Sequence, residues 1–230
     1  MTRQLYELLG DGDRRFSPYC WRARFALAHK GLDADYVPIG FTEKDKIAFS
    51  GQTRVPILVD DETTVFDSWE IACYLEEHYP AAPPLFGSEA ARGEARFIGC
   101  WMESKVFPPL FKLLVGDIFA HVRPEDRDYF RETREKRLGK TIERCAEEAH
   151  SHLEPFRASV TPARLTVASQ PFLCGTAPAY ADYILFGSFQ WARCVSPIPI
   201  VERDDPLHAW LERMLDLYDG AGRSVPAYDY

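Results

Sequence analysis

The chain has 230 residues and a formal net charge of -8, with 46% hydrophobic and 13% aromatic residues. Its length fits one large or two modest domains, and so apolar a composition excludes a solvated, disordered chain. The acidic balance argues against a nucleic-acid partner, because phosphate recognition needs a clustered basic face. It leaves neutral and cationic partners open.

Residues 1–10 contain no apolar run preceded by positive charge, and no stretch approaches the ~18 apolar residues of a membrane span. The expected compartment is the cytoplasm, with no membrane partner. Six cysteines (Cys20, Cys73, Cys100, Cys145, Cys174 and Cys194) stand far apart, without zinc-site spacing or the density of a disulfide scaffold, so most are expected to be reduced, buried and inert. His150 and His152 are two apart and cannot share a helix face, and the other histidines show no ligand spacing, so no metal is expected.

In chain order, Gln4 to Leu9 reads as a buried strand that stops at Gly10-Asp11-Gly12-Asp13. Ser17 can cap a helix that has Pro18 in its first turn, Trp21, Phe25 and Ala28 on its apolar side, and Gly31 as its C′ residue. Asp35 to Ile39 reads as a second strand, and a polar stretch from Thr42 to Thr53 leads to a third over Val55 to Val59, with Pro56 an anomaly inside it. Asp60-Asp61-Glu62 is a turn and Thr64 to Phe66 a returning strand. Asp67, with Glu70 three residues later, has the spacing of a capping box for a helix running to about Tyr79. This βαβ-then-ββα order is the thioredoxin-like arrangement.

The proline-rich run Pro80-Ala81-Ala82-Pro83-Pro84 marks a change to long helical periodicity. The expected organisation is a thioredoxin-like α/β domain over 1–80, a linker over 81–89 and an all-helical domain over 90–230. Helices are predicted from Ser88 to about Val115, Pro124 to about Phe156, Ala179 to about Cys194 and Asp205 to Tyr218, with an irregular loop from Ser159 to Pro171.

Phe16-Ser17-Pro18-Tyr19-Cys20-Trp21-Arg22, Arg54-Val55-Pro56, Asp67-Ser68 and Ala181-Asp182 stand in the order and spacing of glutathione S-transferases, and the resemblance covers nearly the whole chain. Ser17-Pro18-Tyr19 with Trp21-Arg22, Val59-Asp60-Asp61, Asp67-Ser68-Trp69, Asp126-Arg127-Asp128-Tyr129 and the segment from Asp205-Pro206-Leu207 through Asp219-Gly220 resemble the bacterial β-etherase branch, whose enzymes cleave lignin-type β-aryl ethers.

The resemblance implies glutathione as co-substrate, a small hydrophobic or aromatic electrophile as second substrate, and a homodimer. It also implies a role for each matching residue. Ser17 would steady the glutathione thiolate, although a serine at this turn can equally be a plain helix cap. A free thiol of pKa about 8.5 is only a few per cent ionised at neutral pH, and lowering that value by two units takes about 2.7 kcal/mol, to which a hydroxyl donor and the positive end of a helix both contribute. Ser17 occupies the position where redox relatives carry the attacking cysteine of Cys-x-x-Cys, which leaves Cys20 as a packed thiol. Pro56 is cis in the family and would present the Val55 backbone to the cysteinyl part of glutathione. Arg54 is either a surface charge or a contact to a glutathione carboxylate. Ser68 would hold the γ-glutamyl carboxylate at a helix N-terminus and Asp67 would face its ammonium group. Tyr19, Trp101, Phe107 and Phe111, with Phe119, would line the second-substrate pocket, although such aromatics are often simply core. Asp182 belongs to a buried capping box whose usual Ser or Thr is Ala179 here, so Thr176, a water or a shifted helix start must replace the cap.

Overall fold

The computed structural model describes residues 2–229. Its sheet has four strands, β1 (Arg3–Leu8), β2 (Asp35–Ile39), β3 (Ile57–Asp60) and β4 (Thr63–Phe66), in the order β2-β1-β3-β4, with β1 parallel to β2 and antiparallel to β3. With α1 (Pro18–His29) crossing between β1 and β2 and α2 (Ser68–His78) closing the unit, this is a thioredoxin-like domain. The third strand begins after Pro56, not at Val55 as the apolar run suggested. Proline has no N–H to give to a ladder, so pairing starts at Ile57 opposite Phe66 and Tyr6. The polar stretch before it folds as a 3-10 helix over Lys44–Ser50.

Strand β1 alternates buried and half-buried positions, and two of its buried side chains are charged. Arg3 reaches Asp60 at 3.1 Å. Glu7 is fully buried, and its carboxylate accepts from Arg15 Nη1 at 2.7 Å and from Arg24 Nε and Nη2 at 2.6 and 2.8 Å. A carboxylate out of water needs such partners. This one ties the strand to the loop before α1 and to the helix itself.

The helical domain comprises α3 (Glu89–Trp101), α4 (Phe107–Ala120), α5 (Arg127–Leu138), α6 (Ile142–Glu148), α7 (Leu153–Ser159), α8 (Thr161–Val167), α9 (Tyr180–Val195) and α10 (Pro206–Gly220). A π-helical turn over Met102–Val106 joins α3 to α4, where Pro108 and Pro109 cannot donate to the preceding turn. The helix predicted from Pro124 to Phe156 is broken. Gly139, at φ +66°, ends α5 and donates to the Glu135 carbonyl at 2.8 Å, and Thr141 caps α6. The segment from Ser159 to Pro171, expected to be irregular, holds α8, with Pro162 in its first turn where a missing N–H costs nothing.

Helix α9 is buried along almost its whole length and packs on α1 through Phe186, whose ring lies 4.4 Å from that of Phe25 and 6.0 Å from that of Trp21. Gly187 makes the approach possible, since a Cβ there would lie 2.3 Å from the Pro18 carbonyl oxygen. Asp182 is fully buried and accepts from the backbone N–H groups of Leu173, Cys174 and Ala179 and from Trp210 Nε1, at 2.7 to 3.3 Å. The helix does start after Ala179. The Asp182 N–H that a Ser or Thr side chain would accept goes instead to the Ala179 carbonyl at 3.0 Å.

Candidate functional site

A cavity of about 750 Å³ lies between the two domains. Its floor comes from the thioredoxin-like domain, at Ser17 to Tyr19, Ile39 to Phe41, Lys44 and Thr53 to Val55, and its wall from α4, α5 and Trp191 of α9.

Ser17 is placed by purely local rules. It is the N-cap of α1, its Oγ accepts from the Cys20 N–H at 3.3 Å, and Pro18 fills the first turn. The Trp21 Nε1–H donates to the Arg15 carbonyl at 2.5 Å and fixes the loop that leads in. Burial, with the Glu7 carboxylate nearby, pushes the Cys20 thiol up to about 12, and the neighbouring Ser17 hydroxyl only partly offsets this. The thiol is therefore protonated at neutral pH. A hydroxyl offers two lone pairs and one proton. With one lone pair engaged by the Cys20 N–H, the Ser17 hydroxyl still has a proton to donate, at the positive end of α1.

Tyr19 cannot play the same part. Its hydroxyl donates to Glu103 Oε2 at 2.9 Å, and burial together with the Glu103 charge raises its pKa. The Arg22 guanidinium lies over the Tyr19 ring at 4.7 Å and reaches Glu103 at 3.4 Å, so Tyr19, Arg22 and Glu103 form one closed set.

The other residues singled out from sequence divide into two groups. Arg54, Val55, Phe107 and Phe111 line the cavity beside Ser17 and Tyr19. Pro56, Asp67, Ser68, Trp101 and Phe119 lie outside its lining. The Val55-Pro56 peptide bond is cis. Asp67, at φ +69°, caps α2 by accepting from the Trp69 N–H at 2.8 Å and lies within electrostatic reach of Tyr19. Ser68 is buried, with its carbonyl accepting from the Tyr180 hydroxyl at 2.6 Å.

Several lining residues escaped the sequence reading. Trp191 packs edge-on against Phe107 (5.8 Å) and stacks on Phe111 (6.2 Å). Phe41 and Tyr129 face each other near the floor. Lys112, Arg134 and Arg137 bring positive charge to the wall. Their only sequence signal is the three-residue spacing of Arg134 and Arg137, which fits an ordinary solvated helix face just as well. Four of the six cysteines are buried, and Cys100 and Cys174 are exposed. Among the described residues no cluster of His, Cys, Asp or Glu could hold a metal ion, and no helix is long and apolar enough to cross a membrane.

The solved glutathione S-transferase of Ceriporiopsis subvermispora in complex with glutathione superposes with a TM-score of 0.81 at 21% identity, over 98% of this chain and 99% of that one. The β-etherase LigF of Sphingobium sp. strain SYK-6 superposes with a TM-score of 0.68 at 20% identity, over 94% and 96%. At these identities the likeness is one of fold. In sequence the chain is 39% identical to Glutathione S-transferase Z1 of Arabidopsis thaliana over 69 residues, 28% of this chain and 31% of that protein. The chain thus spans about a third of the length of the first curated relatives it matches. The family profile for the glutathione S-transferase N-terminal domain matches residues 16–78, and that for the C-terminal domain matches residues 95–214. With both profiles matched in order along one chain, this protein belongs to the glutathione S-transferase family.

Proposed function

We propose that the chain is a glutathione transferase in which Ser17 donates a hydrogen bond to the glutathione sulfur. The observation that carries this reading is the Ser17 hydroxyl at the first turn of α1, which lines the cavity and accepts from the Cys20 N–H, with its own proton left to donate. A donor and a helix N-terminus both favour the thiolate over the thiol. In the same reading Val55 pairs its backbone with the cysteinyl unit beside cis Pro56, and Arg54 meets a glutathione carboxylate. Asp67 and Ser68, at the N-terminus of α2, take the γ-glutamyl end. Tyr19, Phe107 and Phe111 bound the place of the second substrate.

The reaction is a displacement. The sulfur forms a bond to an electrophilic carbon, the bond to the leaving group breaks, and the leaving group departs with the electron pair, while the thiol proton is lost to solvent as the thiolate forms. The protein holds both partners in line and keeps water away. We propose further that the electrophile is a β-aryl ether next to a ketone, so that a phenolate leaves and a glutathione thioether remains. Support for this finer reading comes from the stretches at 59–61, 126–129 and 205–220, of which Tyr129 lines the cavity.

Calorimetry with glutathione, followed by assays of phenol release from an aryl ether ketone and of conjugation to halogenated and unsaturated electrophiles, tests both levels. Binding with turnover of any of the three supports the transferase. Phenol release supports the etherase, and its absence beside active conjugation removes that claim alone. No heat at millimolar glutathione removes both.

A further inference from the structure

The chain as a whole is acidic, yet its cavity is not. Five cations line it, Lys44, Arg54, Lys112, Arg134 and Arg137, against one carboxylate, Glu103. Glu103 is already committed to Tyr19 and Arg22. Among the described residues none of the five cations has a carboxylate partner. Arg134 hydrogen-bonds only to the neighbouring Thr133 hydroxyl, at 2.8 Å, and Lys44 only to the Tyr129 hydroxyl, at 3.2 Å. The contrast within α5 is direct. Arg131, one turn before Arg134 and on the outer surface, reaches both Glu135 and Glu143, at 2.8 and 2.7 Å.

Two of these unpaired guanidinium groups sit over aromatic rings. Arg134 sits over Phe130 at 4.7 Å and Phe41 at 5.3 Å, and Arg137 over Phe111 at 4.9 Å. A stacked guanidinium keeps its N–H edge available for a planar anion. Burial and the charges of Arg137 and Arg54 push the Arg134 guanidinium down from its ordinary value. The like charges thus weigh on one another. Glutathione cannot account for all of them. It has two carboxylates, and in the reading proposed above one meets Arg54 and the other lies at the N-terminus of α2, so the three cations of the wall remain.

We propose that the second substrate is an anion, an aromatic carboxylic acid whose ring packs against the cluster of Phe107, Phe111 and Trp191 and whose carboxylate meets Arg134 and Arg137. This rests on the transferase reading for the word substrate, and on the cavity alone for the anion. The wall selects charge through the two guanidinium forks and shape through the rings, so a neutral isostere keeps the packing and loses the ionic contacts.

Calorimetry on the full chain separates the two levels, first with glutathione, then with biphenylcarboxylate and biphenylcarboxamide added to the glutathione-saturated protein. The carboxylate is expected to bind about tenfold or more tightly than the amide. That ratio should shrink as salt is raised from about 20 mM to about 500 mM and fall by about threefold or more in Arg137→Gln. Arg134→Gln should lower it further. Arg137 is exposed, so its variant keeps the test open if the Arg134 variant does not fold. Equal affinity for acid and amide, or displacement of the acid by glutathione, overturns the inference and leaves the transferase reading intact. A preference for the acid with no heat from glutathione overturns the transferase reading and upholds the anion site.

Discussion

The floor and the wall of the cavity are built by different means. On the floor, Ser17 and Asp67 occupy helix N-caps, Val55 precedes a cis proline, and each position follows from residues within four of it in sequence. On the wall, Phe107, Arg134 and Trp191 come from three helices and meet only because α4, α5 and α9 pack as they do. In the proposed reading the floor fixes where the thiol lies. The wall decides what it meets. A family can therefore keep one and vary the other, and in this chain the wall is where positive charge collects.

The largest expected effect breaks the floor. Glu7→Ala removes the buried carboxylate that holds Arg15 and Arg24, and it should cost about 3–5 kcal/mol of stability in denaturant unfolding, as breaking a buried pair does. A loss under about 1 kcal/mol would mean that β1 and the Ser17 loop are held by packing instead.

A smaller effect tests the tie between floor and wall. Asp126, at the start of α5, accepts from the Thr42 N–H and hydroxyl at 2.8 and 2.6 Å and from Arg123 Nε at 2.9 Å. Burial alone would raise its carboxyl, but the bonds from Arg123 and Thr42 outweigh it and hold the pKa below the usual aspartate value. A depressed carboxyl contributes stability that is full above the unfolded pKa of about 3.9 and is lost as pH falls through the folded value. Asp126→Asn should lower stability at neutral pH by about 1–2 kcal/mol and flatten the acid limb of the stability curve. An unchanged acid limb would show that other carboxylates set it.

The smallest effect is a contrast in reactivity. Cys20, pushed up to about 12 and buried at the floor, should resist alkylation of the native protein at pH about 8, whereas exposed Cys100 should react. Mass spectrometry of the alkylated chain reads both sites at once. Modification of Cys20 under native conditions would undo its assignment as a buried, protonated thiol.

The same division explains how much could be read from the sequence. Caps and turns obey short-range rules, so Ser17 with Pro18, Asp67, Gly31 and the strand at Asp35–Ile39 were legible. The floor's deeper support was not, because Glu7 sits in a strand whose pattern says nothing of which arginines will reach it. Helical periodicity runs on through Gly139 and hid the break after α5, and Pro162 read as loop where it opens α8. Trp191 and Arg134 gave no functional signal, since an aromatic on an apolar helix and an arginine on a charged one are ordinary until the fold aims them at the same space.

The ultraviolet absorbance of the thiolate, followed against pH for glutathione bound to the native chain and to Ser17→Ala, tests the central assignment most directly. The Ser17 hydroxyl predicts ionisation well below the free thiol's value of about 8.5 in the native protein and a return of about one to two units toward that value in the variant, at nearly unchanged glutathione affinity. Identical titrations in the two proteins would contradict it and assign the activation to another group.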